Sequence, residues 1–108
     1  MTLATDIYAI ISKIEKLHFE DPKVYDYWDD LAQVLSADEK ATIQFLSRSE
    51  DKEIIDHICS VFDDVAYNLN SHEFILCIES LQTKFPDLLL APMIEAAREA
   101  INLDEDES

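Results

Sequence analysis

Apolar residues recur along this chain at intervals of three and four, the spacing that places them on one face of an α-helix. Ile7, Ile10, Ile11, Ile14 and Leu17 form the first such stripe. It predicts a helix over about 5–18, with Thr5 or Asp6 capping its exposed N–H groups. Asp21-Pro22 places a carboxylate at a cap and proline at a first helical position, where the missing N–H costs nothing, so a second helix is expected from there. Its inner stripe reads Tyr25, Trp28, Leu31, Ala32 and Leu35, leaving Asp26, Asp29, Asp30 and Gln33 on the opposite face.

Ser36-Ala37-Asp38-Glu39 has the form of a capping box opening a third helix, with Ile43 and Leu46 inward. Ser47 to Ser49 is a short break, after which Ser49 is the expected cap and Glu50-Asp51 are first-turn acids. The fourth helix is the longest expected element, since Ile54, Ile55, Ile58, Val61, Phe62, Val65 and Leu69 keep helical spacing over four turns. Ser71 caps a fifth helix with Phe74, Ile75, Ile78 and Leu81 inward, ending near Lys84 because Pro86 follows. The sixth has two possible starts. Asp87 can cap Leu88 to Leu90, or Pro92 can open a helix carrying Met93, Ile94, Ala97 and Ile101, and the second is the expectation adopted.

No alternating stretch reads as a strand, and short connections favour antiparallel neighbours. The expected fold is all-α: one bundle of about six helices arranged as antiparallel helical hairpins (first with second, third with fourth, fifth with sixth). The domain should span 1–103, with 104–108 an acidic, frayed or disordered tail.

Two features of composition narrow the function. There is no glycine among 108 residues, so glycine-dependent phosphate loops, dinucleotide fingerprints and EF-hand loops are missing. The 24 Asp and Glu against 8 Lys and Arg give a formal net charge of −16, which repels nucleic acid and anionic membranes and suits a basic protein partner. No apolar run reaches the ~20 residues of a membrane span. The first fourteen residues contain Asp6 and lack a basic cluster, so they do not read as a secretory signal, and the expected compartment is the cytosol.

Candidate chemistry is sparse. Glu15 to His18 is a single Glu-x-x-His spacing at a helix end, where a di-metal bundle needs two with further inward acids. His57 and His72 stand in different helices. Cys59 and Cys77 sit mid-helix among apolar residues without CxxC spacing, which reads as buried free thiols, with a disulfide between them left open. The Asp-Ser-Leu attachment motif of acyl-carrier proteins does not occur. No catalytic residue, metal or cofactor is therefore expected. What stands out is acidic crowding on outer faces: Asp56, Ser60, Asp63, Asp64 and Tyr67 on the fourth helix, and Asp26, Asp29 and Asp30 on the second. Like charges three and four apart oppose helix formation by a few tenths of a kcal/mol per pair. Tyrosine beside such carboxylates is a common interface composition. Asp26, Asp29, Asp30, Asp56, Asp63, Asp64 and Tyr67 are the candidate contacts.

The stretch from Trp28 to Pro86 resembles a family of small helical immunity proteins that bacteria encode beside contact-dependent or other polymorphic toxins. The residues that carry the likeness are Trp28-Asp29-Asp30-Leu31, Ser36 to Glu39 with Thr42-Ile43 and Phe45-Leu46, Val61-Phe62-Asp63-Asp64-Val65, and Ser71, Glu73-Phe74-Ile75 with Lys84-Phe85-Pro86. They span about half the chain. The resemblance implies a non-enzymatic cytosolic protein that binds one cognate basic toxin domain, often a nuclease, 1:1 and blocks its active site. Alternatives are an acidic adaptor or chaperone for another basic protein and a metal-dependent helical-bundle enzyme.

Overall fold

The first isoleucine stripe forms α1 (Leu3–Glu15), which buries Ile7, Ile10 and Ile11. In the computed structural model, which describes residues 2–18 and 20–105, this helix starts earlier than its stripe suggests. The Thr2 hydroxyl, rather than Thr5 or Asp6, caps it by accepting from the Thr5 N–H at 3.2 Å. The chain continues through α2 (Lys23–Ser36), α3 (Glu39–Arg48), α4 (Lys52–Ile58), a 3-10 turn (Cys59–Val61), α5 (Phe62–Leu69), α6 (His72–Lys84), a second 3-10 turn (Pro86–Leu88) and α7 (Ala91–Glu105). All regular structure among the described residues is helical, as the periodicity predicts.

The caps show how hydroxyls and carboxylates choose between competing neighbours. Ser36 does not open α3: it ends α2, where its hydroxyl donates to the Ala32 carbonyl at 2.7 Å. Asp38 takes the cap instead, accepting from Ala41 N–H at 3.1 Å. Ser49 likewise closes α3, and Asp51 caps α4 through bonds from the N–H groups of Glu53 and Ile54. Pro22 stands at the cap position of α2 rather than inside the helix, with Asp21 accepting from Lys23 N–H at 2.9 Å. Ser71 caps α6 as expected, accepting from Phe74 N–H at 3.2 Å, and α6 ends at Lys84. The last helix begins at Ala91, one residue before Pro92, and reaches Glu105. It thus enters the stretch 104–108, of which 106–108 lie outside the described residues.

The expected fourth helix is two helices. At Val61 the backbone takes φ −118° and ψ 13°, outside the α region, and this separates α4 from α5. The stripe runs through the break without interruption, since Ile54, Ile55, Ile58, Val61, Phe62 and Val65 are all buried. The two helices have different neighbours: α4 packs on α1, whereas α5 packs on α7 and α2.

Pairing of the helices also differs in part from three successive hairpins. α1 lies on α2 and α6 on α7, but α3 packs on α6 rather than on α4. On that side Cys77 of α6 lies 3.8 Å from the Ile43 carbonyl of α3, while the buried Thr42 hydroxyl ties α3 to α2 by donating to the Leu35 carbonyl at 2.5 Å. α5 occupies the centre. Its Phe62, Val65 and Ala66 are fully buried, and the Phe62 ring meets that of Phe74 edge-on at 6.1 Å. Tyr25, expected inward, is 67% exposed. It is the third residue of α2, in the helix's first turn, and its ring rests edge-on against the half-buried Trp28 at 5.3 Å.

Candidate functional site

Seven outer-face residues were expected to make the contact, and all seven side chains are exposed. Burial alone does not make them one site; their position around each helix does. On α2, successive residues are rotated by about 100°, so Asp29 and Asp30 leave the helix on opposite flanks. Asp30 faces α1, where with Asp6, Lys13 and Gln33 it lines a groove of about 390 Å³. Asp29 faces α5.

There its charge is felt by Asp64. Partial burial first, then the charges of neighbouring Asp63 and of Asp29 across the seam, push the Asp64 carboxyl above the usual aspartate range. The seam between the two helices is pinned farther along by Asn68 Nδ2, which donates to Ser36 Oγ at 3.1 Å. The hydroxyl that the sequence suggested as a cap for α3 thus serves instead to join α2 to α5. Tyr67, 68% exposed, lies one turn beyond Asp63 and Asp64, and Tyr25 lies one turn before Asp29. The structure therefore assembles Asp29, Asp63 and Asp64 into one acidic seam with a tyrosine at either end.

Three candidates do not join it. Asp30 belongs to the α1 flank, and Asp56 stands on α4, on the other side of the 3-10 turn, where its backbone carbonyl accepts from the Cys59 thiol at 2.9 Å. Asp26 is exposed on the outer side of α2. Tyr25 is the member that the periodicity missed, because a residue in the first turn of a helix can satisfy the stripe and still project past the bundle.

Away from the seam, Lys52 pairs with Asp87 at 2.8 Å, Lys84 with Glu50 at 3.4 Å, and Arg98 with both Glu79 and Glu95. Among the described residues, Asp26, Asp29, Asp63 and Asp64 make no ion pair. Like charges gathered without a counter-charge are a standing cost to the fold, and an external cation relieves it.

The groups weighed as chemistry are engaged structurally. The Glu15 carboxylate lies 3.4 Å from His57 Nε2, tying α1 to α4. Cys59 and Cys77 are free and buried. Burial, with Asp56 nearby, pushes the Cys59 thiol up to about 11, and burial raises Cys77 as well, with a hydroxyl contact from Ser47 opposing it. A nucleophilic thiol needs the opposite shift. Among the described residues no three His, Cys, Asp or Glu side chains gather where they could hold a metal ion. A groove of about 680 Å³ between α1 and α3, lined by Tyr8, Phe45, Arg48 and Glu50 among others, includes none of the seam residues. No helix is long and apolar enough to cross a membrane among the described residues.

The chain matches no protein-family model, no curated protein and no solved structure.

Proposed function

We propose that this protein is an immunity protein that binds a cognate basic toxin domain 1:1 and neutralises it by covering its active site, the toxin being a nuclease. The observation that carries the reading is the α2–α5 seam: Asp29, Asp63 and Asp64 converge without a cation of their own, flanked by exposed Tyr25 and Tyr67. A nuclease presents a positive cleft to its substrate. An acidic protein seated on that cleft is drawn in by long-range attraction and excludes the nucleic acid at the same time. The tyrosines supply rigid contact area with one polar tip, which suits the rim of such an interface. The likeness of residues 28–86 to immunity proteins of polymorphic toxin systems supports the same reading. Inhibition of this kind is occlusion, in the cytosol where the toxin would act, and asks no catalysis or cofactor of the inhibitor.

The test is a charge reversal, Asp63→Lys with Asp64→Lys, against the toxin domain encoded beside this protein. With helicity confirmed by circular dichroism, the double variant should lose about 2 kcal/mol or more of binding and should no longer protect cells from the toxin. Unchanged affinity and protection would reduce the seam to a solvated surface. A neighbouring gene for a secretion or ribosomal protein, with no toxin, would favour an acidic adaptor or chaperone.

A further inference from the structure

The acidic seam has an opposite on the same molecule. Among the described residues, the large aliphatic side chains left exposed are Leu76, Leu89 and Met93, all between positions 76 and 93 on α6, the second 3-10 turn and α7. Between positions 76 and 98 the charged residues are Glu79, Lys84, Asp87, Glu95 and Arg98, and each is paired. On a chain of net charge −16, this stretch carries exposed aliphatic side chains with its charges nearly balanced, three acids to two bases.

Leu89 is its most prominent feature. It is 76% exposed, and its backbone is left-handed, with φ 52° and ψ 53°. A leucine is a costly occupant of that region, which glycine or asparagine fills more readily; in this chain Asn70 does so at the end of α5, with φ 47°. The turn is held by its neighbours, since Leu90 is fully buried and Leu88 packs on the core. Burying those two accounts for the turn at position 89. It does not account for a leucine there, because the side chain gains no burial in return. Beside it lies a groove of about 580 Å³ lined by Gln82, Thr83, Pro86, Leu89, Ala91 and Pro92.

We infer that this surface binds a second copy of the same chain, with Leu89 of each protomer seated in the groove of the other between Pro86 and Ala91. Two observations select that occupant. A two-fold interface uses one surface twice and so needs a projection and a recess on the same patch, which Leu89 and its groove provide. Two copies of so acidic a chain also repel each other, and the stretch 76–98, with three acids against two bases, is where they can approach with least repulsion. The inference is independent of the immunity reading, because it concerns a different face and a different partner.

The experiment is sedimentation equilibrium of the full chain from about 1 μM to about 1 mM at low and high NaCl. A monomer–dimer equilibrium that tightens with salt is expected, since salt screens the residual repulsion; an acidic seam bound to a basic toxin would respond in the opposite direction. Leu89→Asn should weaken the dimer roughly tenfold or more while leaving the melting temperature equal or higher, because asparagine tolerates the left-handed backbone. Ala91→Glu, which fills the recess with a charge, should weaken it too. A mixture of the two variants should associate better than either alone, because Leu89 of one protomer then faces a groove on the other in which Ala91 is retained. A monomer throughout, a dimer that loosens with salt, a dimer indifferent to Leu89→Asn, or a mixture no better than its components would each overturn the inference.

Discussion

Replacing Asp64 with asparagine should make this protein more stable and worse at binding its partner. The change preserves the shape of the side chain and removes one charge. At neutral pH that charge is partly desolvated and faces Asp63 and Asp29, with no cation to offset it among the described residues. Repulsion between exposed like charges is screened by solvent and amounts to a few tenths of a kcal/mol per pair. Two such neighbours together with partial burial give roughly 0.5–1 kcal/mol. For a domain of this length that raises the melting temperature by roughly 2–8 °C. Thermal and urea unfolding followed by circular dichroism at pH 7 would measure it, and high salt should shrink the gain. The pH dependence has a definite sign. Because the folded pKa of Asp64 is raised, the folded state holds a proton the unfolded chain has lost. The resulting stabilisation is complete below about pH 4 and is lost as pH rises through the folded value. The advantage of Asp64→Asn should therefore open as pH rises and close in acid. Asp87 supplies the opposite sign: Lys52 holds its carboxyl below the usual range, by a hydrogen bond and by charge, so its contribution is present at neutral pH and is lost as pH falls through the lowered value. Asp87→Asn should lower stability at pH 7. A loss of stability in Asp64→Asn at pH 7, or a gain that persists unchanged in acid, would refute the account of the seam. A gain in stability with unchanged partner affinity would show that the unpaired charge has no use in binding.

Three further outcomes are expected. Phe62→Ala removes a ring that is fully buried against Phe74 and should cost about 3–5 kcal/mol in urea unfolding; a loss below about 1 kcal/mol would place Phe62 outside the core. Thr42→Val keeps the volume but leaves the Leu35 carbonyl without its 2.5 Å partner, so it should cost about 1–3 kcal/mol, with Thr42→Ser retaining the bond as the control. Native protein should react slowly with a thiol reagent at neutral pH and quickly in denaturant, since the Cys59 thiol is pushed up to about 11 and both cysteines are buried; rapid labelling of the native state would contradict their burial.

What could be read along the chain was whatever depends on neighbours three and four residues away. The stripes of α1, α5 and α6, the cap at Ser71 and the stop at Lys84 follow from helical period and from the stereochemistry of proline, both local properties of the backbone. The acidic outer faces followed in the same way, since each is what an inward stripe leaves behind. Local patterns do not choose between partners that lie far apart in sequence. Ser36 could cap α3 or close α2, and its bond from Asn68, thirty-two residues away, belongs to the second arrangement. The break at Cys59–Val61 is silent in the sequence because the apolar stripe passes through it in register; it exists because α4 and α5 pack on different helices.

The candidate site divides along the same line. Acidic residues facing outward on the second and fourth predicted helices were determined by the sequence alone, through the angle each residue takes around its helix. That the charge of Asp29 is felt by Asp64 while neighbouring Asp30 turns to α1, that Asp56 is left beyond a turn, and that Tyr25 stands in solvent beside Trp28 were decided by which flank of α2 lies against α5. The angle of a residue around its own helix is set by the covalent backbone, and the neighbour waiting at that angle is set by packing the whole core at once.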